Sequence, residues 1–290
     1  MPDVRDTEAF ESDGYVLARS LFSEAEAESL RDHFMALRAA GSYPGDNAGA
    51  LSKPGDPLRE FPRLIHMQRW DETSLEWLLD PRLRSWVEAL LDSEPFAVQT
   101  MLYFKPPGAR GQAPHQDQFF LKVEPGICLG AWLALDRADV ENGCLHVVPG
   151  THRQEILCPV NADMVQSFSR VVVPIPDQLE IVPLVLDPGD VLFFHGSLIH
   201  GSFPNRSQNR FRRALIGHYI SGRAEEVSKF YHPVLRMDGS EVELDETELG
   251  GPCGEWADEE GEPVVKMGSQ EIGFWDSMGR YHPPDSEEEL

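Results

Sequence analysis

Two hydrophobic textures divide the chain. Up to about residue 96, apolar positions recur at helical spacing. Beyond it they fall in short runs broken by turns. Leu30, Phe34 and Leu37 are three and four residues apart, the spacing of one helix face. Ser23 with Glu26 forms a capping-box pattern at the start of that helix, where orphan amide hydrogens need acceptors. Asp80-Pro81 opens a second helix with proline at its first position. Trp86, Val87, Leu90 and Leu91 supply its apolar side. Phe10–Leu17 reads as a short strand entered through a turn. Gly41–Pro57, rich in Gly, Pro, Ser and Asn, reads as a loop.

The second texture has seven β-like runs: Ala97–Phe104, Ile127–Leu135, Cys144–Val148, Arg170–Ile175, Ile181–Leu186, Asp190–His195 and Arg213–Ile220. Turn residues separate them, among them Pro106-Pro107-Gly108, Glu141-Asn142-Gly143 and Asp187-Pro188-Gly189. Many short strands spaced in this way predict a mainly β fold, a sandwich or jelly roll, with flanking helices. The 290 residues are read as one domain: 1–96 as helical support, 97–222 as the β core, and 223–290 as an acidic extension. Trp256, Phe274, Trp275 and Tyr281 give that extension more aromatic content than a disordered tail needs. Part of it is expected to pack, and Ser286–Leu290 to be loose. No internal repeat is visible.

Composition narrows the partners. Net charge is −24; residues 238–290 hold 17 acidic and 2 basic side chains, leaving −9 for residues 1–237. Such a surface repels nucleic acid and anionic lipid and tolerates a neutral or cationic small molecule. There is no apolar run long enough to span a bilayer and no signal-peptide pattern at the N-terminus. Cys128, Cys144, Cys158 and Cys253 are widely separated, so four reduced thiols and a cytoplasmic location are expected.

The chemistry-bearing pattern is His115-Gln116-Asp117, with His200 standing 83 residues beyond Asp117. In a strand, residues two apart share a face, so His115 and Asp117 could hold one cation. A distant His200 would complete the facial triad of non-haem Fe(II), with open positions for a co-substrate and O2. Arg210, Arg212 and Arg213 follow and could anchor a dicarboxylate. His195, five residues before His200, falls off the alternation and reads as a strand-end residue. His146 and His152 read as structural. His66, His218, His232 and His282 show no ligand spacing.

Several ordered segments resemble one known family. They are Pro114-His115-Gln116-Asp117, Trp132-Leu133-Ala134-Leu135-Asp136, Asn142-Gly143-Cys144-Leu145-His146-Val147-Val148-Pro149-Gly150-Thr151-His152, Pro188-Gly189-Asp190 and His200-Gly201-Ser202, followed by Arg212-Arg213-Ala214. Together with Asp13-Gly14-Tyr15-Val16 near the start, they are similar to the phytanoyl-CoA dioxygenase family over roughly residues 7–222. The resemblance implies a double-stranded β-helix (jelly roll, cupin-like) core. It implies His115, Asp117 and His200 as iron ligands and 2-oxoglutarate and O2 as co-substrates. It also implies a late-strand arginine on the 2-oxoglutarate carboxylate. The family's usual position falls on Phe211, and a shift of one residue carries the role to Arg212, with Arg210 as rival. Ser202 resembles the family's co-substrate hydroxyl. Gln99 and Tyr103 stand where relatives contact co-substrate or substrate, and Trp132 and Gln118 are assigned to the substrate pocket.

Asp117 stands where related halogenases carry a small residue, so hydroxylation or a related oxidation of a small metabolite or natural product is expected, with release of succinate and CO2. The −24 charge suits a CoA moiety poorly. Three alternatives remain open at this point: a jelly-roll protein using another metal, a non-catalytic binding protein, and an oxygenase acting on a protein side chain.

Overall fold

Period-two alternation lays out the core of this computed structural model, which describes residues 1–41, 55–247, 251–272, 274–275 and 281–282. Along the strand Cys128–Ala134, Leu129, Ala131 and Leu133 point to one apolar cluster and Trp132 and Ala134 to another. The same division separates Val191 and Phe193 from Leu192 and Phe194, and Leu215 and Tyr219 from Ala214 and Ile216. A sheet that divides its side chains this way is covered on both faces.

The helices in chain order are α1 (Val4–Asp13), α2 (Glu24–Ala40), α3 (Pro57–Glu60), α4 (Glu72–Leu78), α5 (Pro81–Leu91) and α6 (Gln118–Leu121). The strands of the two main sheets and one small hairpin are β1 (Tyr15–Ala18), β2 (Leu64–Ile65), β3 (Pro95–Tyr103), β4 (Gln112–His115), β5 (Cys128–Ala134), β6 (Leu145–Val147), β7 (Val160–Asn161), β8 (Val171–Val172), β9 (Val182–Pro183), β10 (Val191–His195), β11 (His200–Ser202) and β12 (Ala214–Ser221). Later come β13 (Glu226–Val227), β14 (Val234–Arg236), β15 (Glu241–Val242), β16 (Asp245–Glu246), β17 (Gly251–Glu259) and β18 (Glu262–Ile272). The eight-stranded sheet runs β1-β10-β5-β12-β3-β14-β15, with β2 also on β3, and the four-stranded sheet runs β4-β11-β6-β9. All pairings within these two sheets are antiparallel. Phe10, Phe34, Trp77, Leu78, Leu83, Trp86 and Val87 of the helices cover one face of the large sheet. Leu145 and Val147 of the small sheet pack with Trp132, Leu192, Phe194 and Ile216 on its other face. This is the mainly β, jelly-roll architecture with flanking helices that the strand spacing predicts.

The capping box at Ser23–Glu26 and the Asp80-Pro81 helix start are both present. Phe10–Asp13 is helical, which corrects the strand reading of Phe10–Leu17. Asp3 and Asp6 form a reciprocal capping box that starts α1 early, and Gly14 ends it at φ 82°. A Cβ at Gly14 would lie 2.5 Å from His152 Nδ1, so only glycine closes this helix here. Most of the expected loop at 41–57 and the tail Ser286–Leu290 lie outside the described residues, as do the side chains of Phe274, Trp275 and Tyr281.

The cysteine reading is also corrected. Cys158 and Cys253, 95 residues apart in sequence, form a disulfide, while Cys128 and Cys144 are free and buried. Tertiary contact brings the pair together: Cys158 N donates to Gly254 O at 2.8 Å and Gly254 N to Ile156 O at 2.8 Å. Trp256 of β17 follows, its Nε1 donating to Pro174 O at 2.8 Å and its ring packing with Val148, Leu157, Val173 and Ile199. The acidic β17–β18 hairpin is thus docked on the β core through covalent, backbone and apolar contacts. The disulfide removes the ground on which a cytoplasmic location was expected. Among the described residues no helix is long and apolar enough to cross a membrane.

Candidate metal centre

β4 ends at His115 and β11 begins at His200, and the two residues are direct cross-strand partners. Their rings lie 4.3 Å apart. Asp117 reaches the same point by a route that alternation did not anticipate. The strand stops at His115, and Asp117 takes helical angles (φ −66°, ψ −33°) as it leads into α6. The turn, rather than a shared strand face, aims the carboxylate back at the imidazoles. One ligand atom from each of His115, Asp117 and His200 lies within 4.8 Å of the others. Asp117 Oδ1 is 3.4 Å from His115 Nε2 and Oδ2 is 3.7 Å from His200 Nε2. Gln116, between the two motif residues, points away. Its Nε2 donates to Ser197 O at 2.9 Å and its Oε1 accepts from Leu157 N at 2.9 Å, which ties the motif to two loops.

The donor set fits a divalent transition metal on its own chemistry. His115 Nδ1 lies 2.9 Å from Ala113 O and His200 Nδ1 lies 3.0 Å from Leu198 O. With the proton held at Nδ1 against a carbonyl, Nε2 carries the lone pair. Burial, then His115, lowers the His200 pKa to about 4. Burial works to raise the Asp117 pKa, but His200 and the hydrogen bonds of His115 and His218 outweigh it and hold the carboxyl well below its ordinary range. Two neutral nitrogens and one carboxylate are the donors of a facial non-haem iron site.

His218, which the spacing left without a role, stands 3.0 Å through Nε2 from Asp117 Oδ2. It lies on β12, six residues beyond Arg212, and strand parity from Arg212 through Ala214 and Ile216 was the available clue. His66 Nε2 is 3.2 Å from Gln99 Nε2, which places Gln99 in a polar layer next to this group.

The arginines separate clearly. Arg210 is spent on the surface: Nη1 and Nη2 donate to Asp139 at 2.7 and 2.9 Å, and Nη2 also to Glu141 at 2.7 Å. Arg213 pairs with Asp136. Arg212 is 2% exposed, donates through Nε to Gly143 O at 3.0 Å, and has Nη1 buried without a partner. Its guanidinium lies 5.4 Å from the Trp132 ring and 5.9 Å from the Tyr103 ring. Burial lowers its pKa to about 10. Ser202, two residues past His200, is also buried. Tyr103 Oη accepts from the exposed Arg63 at 3.3 Å. Gln118 is committed elsewhere: its Nε2 donates to Val123 O at 3.0 Å and its Oε1 accepts from Cys128 N at 2.9 Å, so it braces the loop after α6 instead of offering its amide to a pocket.

Two further histidines are embedded in the fold. His195 Nδ1 accepts from Ser197 N at 3.0 Å, and His146 packs its ring 4.5 Å from Phe203. Burial lowers both pKa values from 6.5 to about 4. Both therefore fold neutral while their unfolded counterparts bind a proton below 6.5. Stability is complete above pH 6.5 and is lost as pH falls toward 4. At pH 5.5 each histidine costs about 1.4 kcal/mol, so about 3 kcal/mol together. Urea midpoints at pH 7.5 and 5.5 test this, and equal midpoints would refute it.

Two packed antiparallel sheets with this cluster and a buried guanidinium between them define the class of iron- and 2-oxoglutarate-dependent oxygenases. Within it, the family described as phytanoyl-CoA dioxygenase (PhyH) matches residues 10–214, and the chain belongs to that family. Phytanoyl-CoA dioxygenase 1 of Oryza sativa subsp. japonica is 39% identical over 181 residues, 62% of this chain and 61% of that protein. The match thus spans about three fifths of that relative. Peroxisomal phytanoyl-CoA dioxygenase of Rattus norvegicus is 29% identical over 232 residues, 76% of this chain and 68% of that protein. Among solved structures, EvdO2 of Micromonospora carbonacea var. aurantiaca complexed with 2-oxoglutarate is 30% identical at TM-score 0.61, covering 77% of this chain and 92% of that one. The epimerase SnoN shares the fold at TM-score 0.58 and 23% identity, over 76% of this chain and 83% of that one.

Proposed function

We propose that this chain is an Fe(II)- and 2-oxoglutarate-dependent dioxygenase that hydroxylates a C–H bond of a small molecule. The balanced reaction is R–H + 2-oxoglutarate + O2 → R–OH + succinate + CO2. The observation that carries the reading is the combination of a two-nitrogen, one-carboxylate cluster with Arg212, a buried cation that has a free donor. Such a cation is costly until an anion meets it, and a planar guanidinium takes a carboxylate in bidentate fashion.

His115, Asp117 and His200 would hold the iron and leave one coordination face open. Bound Fe(II) supplies the activation of O2. Arg212 fixes the far carboxylate of the oxoacid, with Ser202 beside it. Trp132 and Tyr103 wall that pocket with rings and keep water out. Gln99 and His66 line the neighbouring polar layer and are the candidate contacts to substrate. Asp117 fills the position that a halide would need, which favours hydroxylation. SnoN is an epimerase and SnoK, another fold neighbour, a carbocyclase, so analysis of the product decides among oxidation outcomes.

We further propose a neutral or cationic small substrate, without CoA dependence. The net charge of −24, concentrated in the extension, supports this. Stimulation of succinate release by an acyl-CoA, and not by amines or sugars, would overturn it.

The deciding experiment is anaerobic titration of the metal-free protein with Fe(II) and 2-oxoglutarate. A visible metal-to-ligand charge-transfer band is expected in the wild type and is lost in His200→Ala. A wild type without the band would favour a binding protein or a different metal.

A further inference from the structure

A second buried cation lies beside Arg212. Lys105 follows β3 and is 1% exposed. Its backbone sits at φ 37°, a left-handed conformation disfavoured for a residue with a Cβ. Its Nζ is 2.8 Å from Ser202 Oγ, 2.5 Å from Phe203 O and 3.3 Å from Gly143 O. Gly143 O and Phe203 O can only accept, and Ser202 Oγ completes the three positions around Nζ, so the ammonium form donates to all three. The Gly143 carbonyl also accepts from Arg212 Nε at 3.0 Å, so one oxygen bridges two cations. Among the described residues no carboxylate forms an ion pair with either. Burial, then Arg212, holds the Lys105 pKa well below its ordinary range. A dianion arriving nearby would offset both effects.

Ser202 shows what the lysine accomplishes. Its Oγ accepts from Lys105 Nζ and also from Gln112 N at 3.2 Å. A hydroxyl has two lone pairs and one hydrogen. When the ammonium and Gln112 N take both lone pairs, the O–H is left to donate, and no further acceptor for it is present among the described residues.

We infer that Lys105 is a positioning residue for the oxoacid. It fixes Ser202 with its O–H free for the far carboxylate, and it adds the second positive charge that selects a dicarboxylate over a monocarboxylate. This rests on the proposed function and deepens it. At low effective dielectric a buried charge acts strongly on a nearby anion without touching it.

The test is isothermal titration of Fe(II)-loaded protein under argon with 2-oxoglutarate and, separately, with 2-oxobutyrate. The latter keeps the chelating end and lacks the far carboxylate. K105M is expected to raise the 2-oxoglutarate Kd at least about tenfold, the size of one charged hydrogen bond. It should leave the 2-oxobutyrate Kd within about twofold, since that ligand does not reach the pair. S202A should show the same pattern, and the double variant should be no worse than the weaker-binding single one, because the two residues act as a unit. An equal loss for both ligands would mean a merely structural lysine and would overturn the inference, as would an unchanged 2-oxoglutarate Kd. If K105M does not fold, K105Q keeps a donor amide in the cavity and is read in the same way: an unchanged ratio of the two affinities overturns the inference. A wild type that binds neither oxoacid removes the proposed function as well. A wild type that binds 2-oxoglutarate beside an unaffected variant removes the Lys105 inference alone.

Discussion

Replacing Asp117 with alanine is expected to abolish substrate-dependent succinate release and to weaken Fe(II) binding by more than ~100-fold. That figure is the upper range for changes one shell further out, and a direct ligand exceeds it. Asp117 is the one carboxylate in the cluster, so its loss leaves a dication with neutral imidazoles alone. The fold should survive at a cost of about 1–3 kcal/mol, because the buried imidazoles lose their carboxylate partner. Among the described residues the carboxylate meets His115, His200 and His218 and no backbone amide, while the turn into α6 is made by its backbone carbonyl, which accepts from Phe120 N and Leu121 N. Circular dichroism of the metal-free variant should therefore match the wild type, with a melting temperature a few degrees lower. Equilibrium dialysis with Fe(II) and a succinate assay give the readout. Unchanged turnover would take Asp117 out of the metal site.

Much of the fold was legible because it follows from local pattern. Strands β3, β5, β10 and β12 announce themselves by short, nearly continuous apolar runs between turn residues, and α2 and α5 by caps and helical spacing. The cluster was legible because His115 and Asp117 are neighbours in sequence and His200 sits in a recognisable strand context. The reason for their convergence was not. Strand alternation suggested a shared face, whereas Asp117 lies past the strand end in helical conformation. Two other features depended on contacts no linear pattern records, and a third had a pattern that ligand spacing overrode. Cys158 meets Cys253 because the β17–β18 hairpin docks on the segment before β7. His218 was discounted for lack of ligand spacing, although strand parity from Arg212 placed it on the inward face. Arg210 and Arg212 share parity, so only the family pattern put Arg212 ahead; the carboxylates that claim Arg210 come from the separate turn holding Asp139 and Glu141.

Charge placement is the link between this fold and the reaction proposed for it. Acidic side chains dominate the extension, while the interior beside the metal cluster holds two basic side chains, Lys105 and Arg212, with no carboxylate paired to either among the described residues. A protein of net charge −24 that buries unpaired positive charge has placed it against its own average. The arrangement is unfavourable for the empty protein and favourable once a small dianion fills it.

That reasoning gives the second large effect. Arg212→Met should raise the 2-oxoglutarate Kd by about two to three and a half orders of magnitude, the 3–5 kcal/mol typical of removing one partner from a buried charge pair. The same substitution should leave the empty protein as stable as the wild type or more so. Burial lowers the guanidinium pKa to about 10, yet the group stays charged at neutral pH. The folded state therefore carries a penalty at every pH below about 10, of order 3 kcal/mol. The Gly143 hydrogen bond and the rings of Trp132 and Tyr103 offset part of it. Methionine carries none of the penalty and fills similar volume. In the wild type, 2-oxoglutarate at 100 times its Kd should add about 2.7 kcal/mol of stability. The variant should lose that increment at the same ligand concentration. Arg210→Met supplies the contrast, since it breaks only partly exposed surface pairs worth about 1 kcal/mol or less and should keep the full ligand-dependent shift. Thermal denaturation of the metal-loaded proteins, with and without 2-oxoglutarate under argon, reads both quantities. A ligand-dependent shift that survives in Arg212→Met and disappears in Arg210→Met would transfer the anchoring role to Arg210.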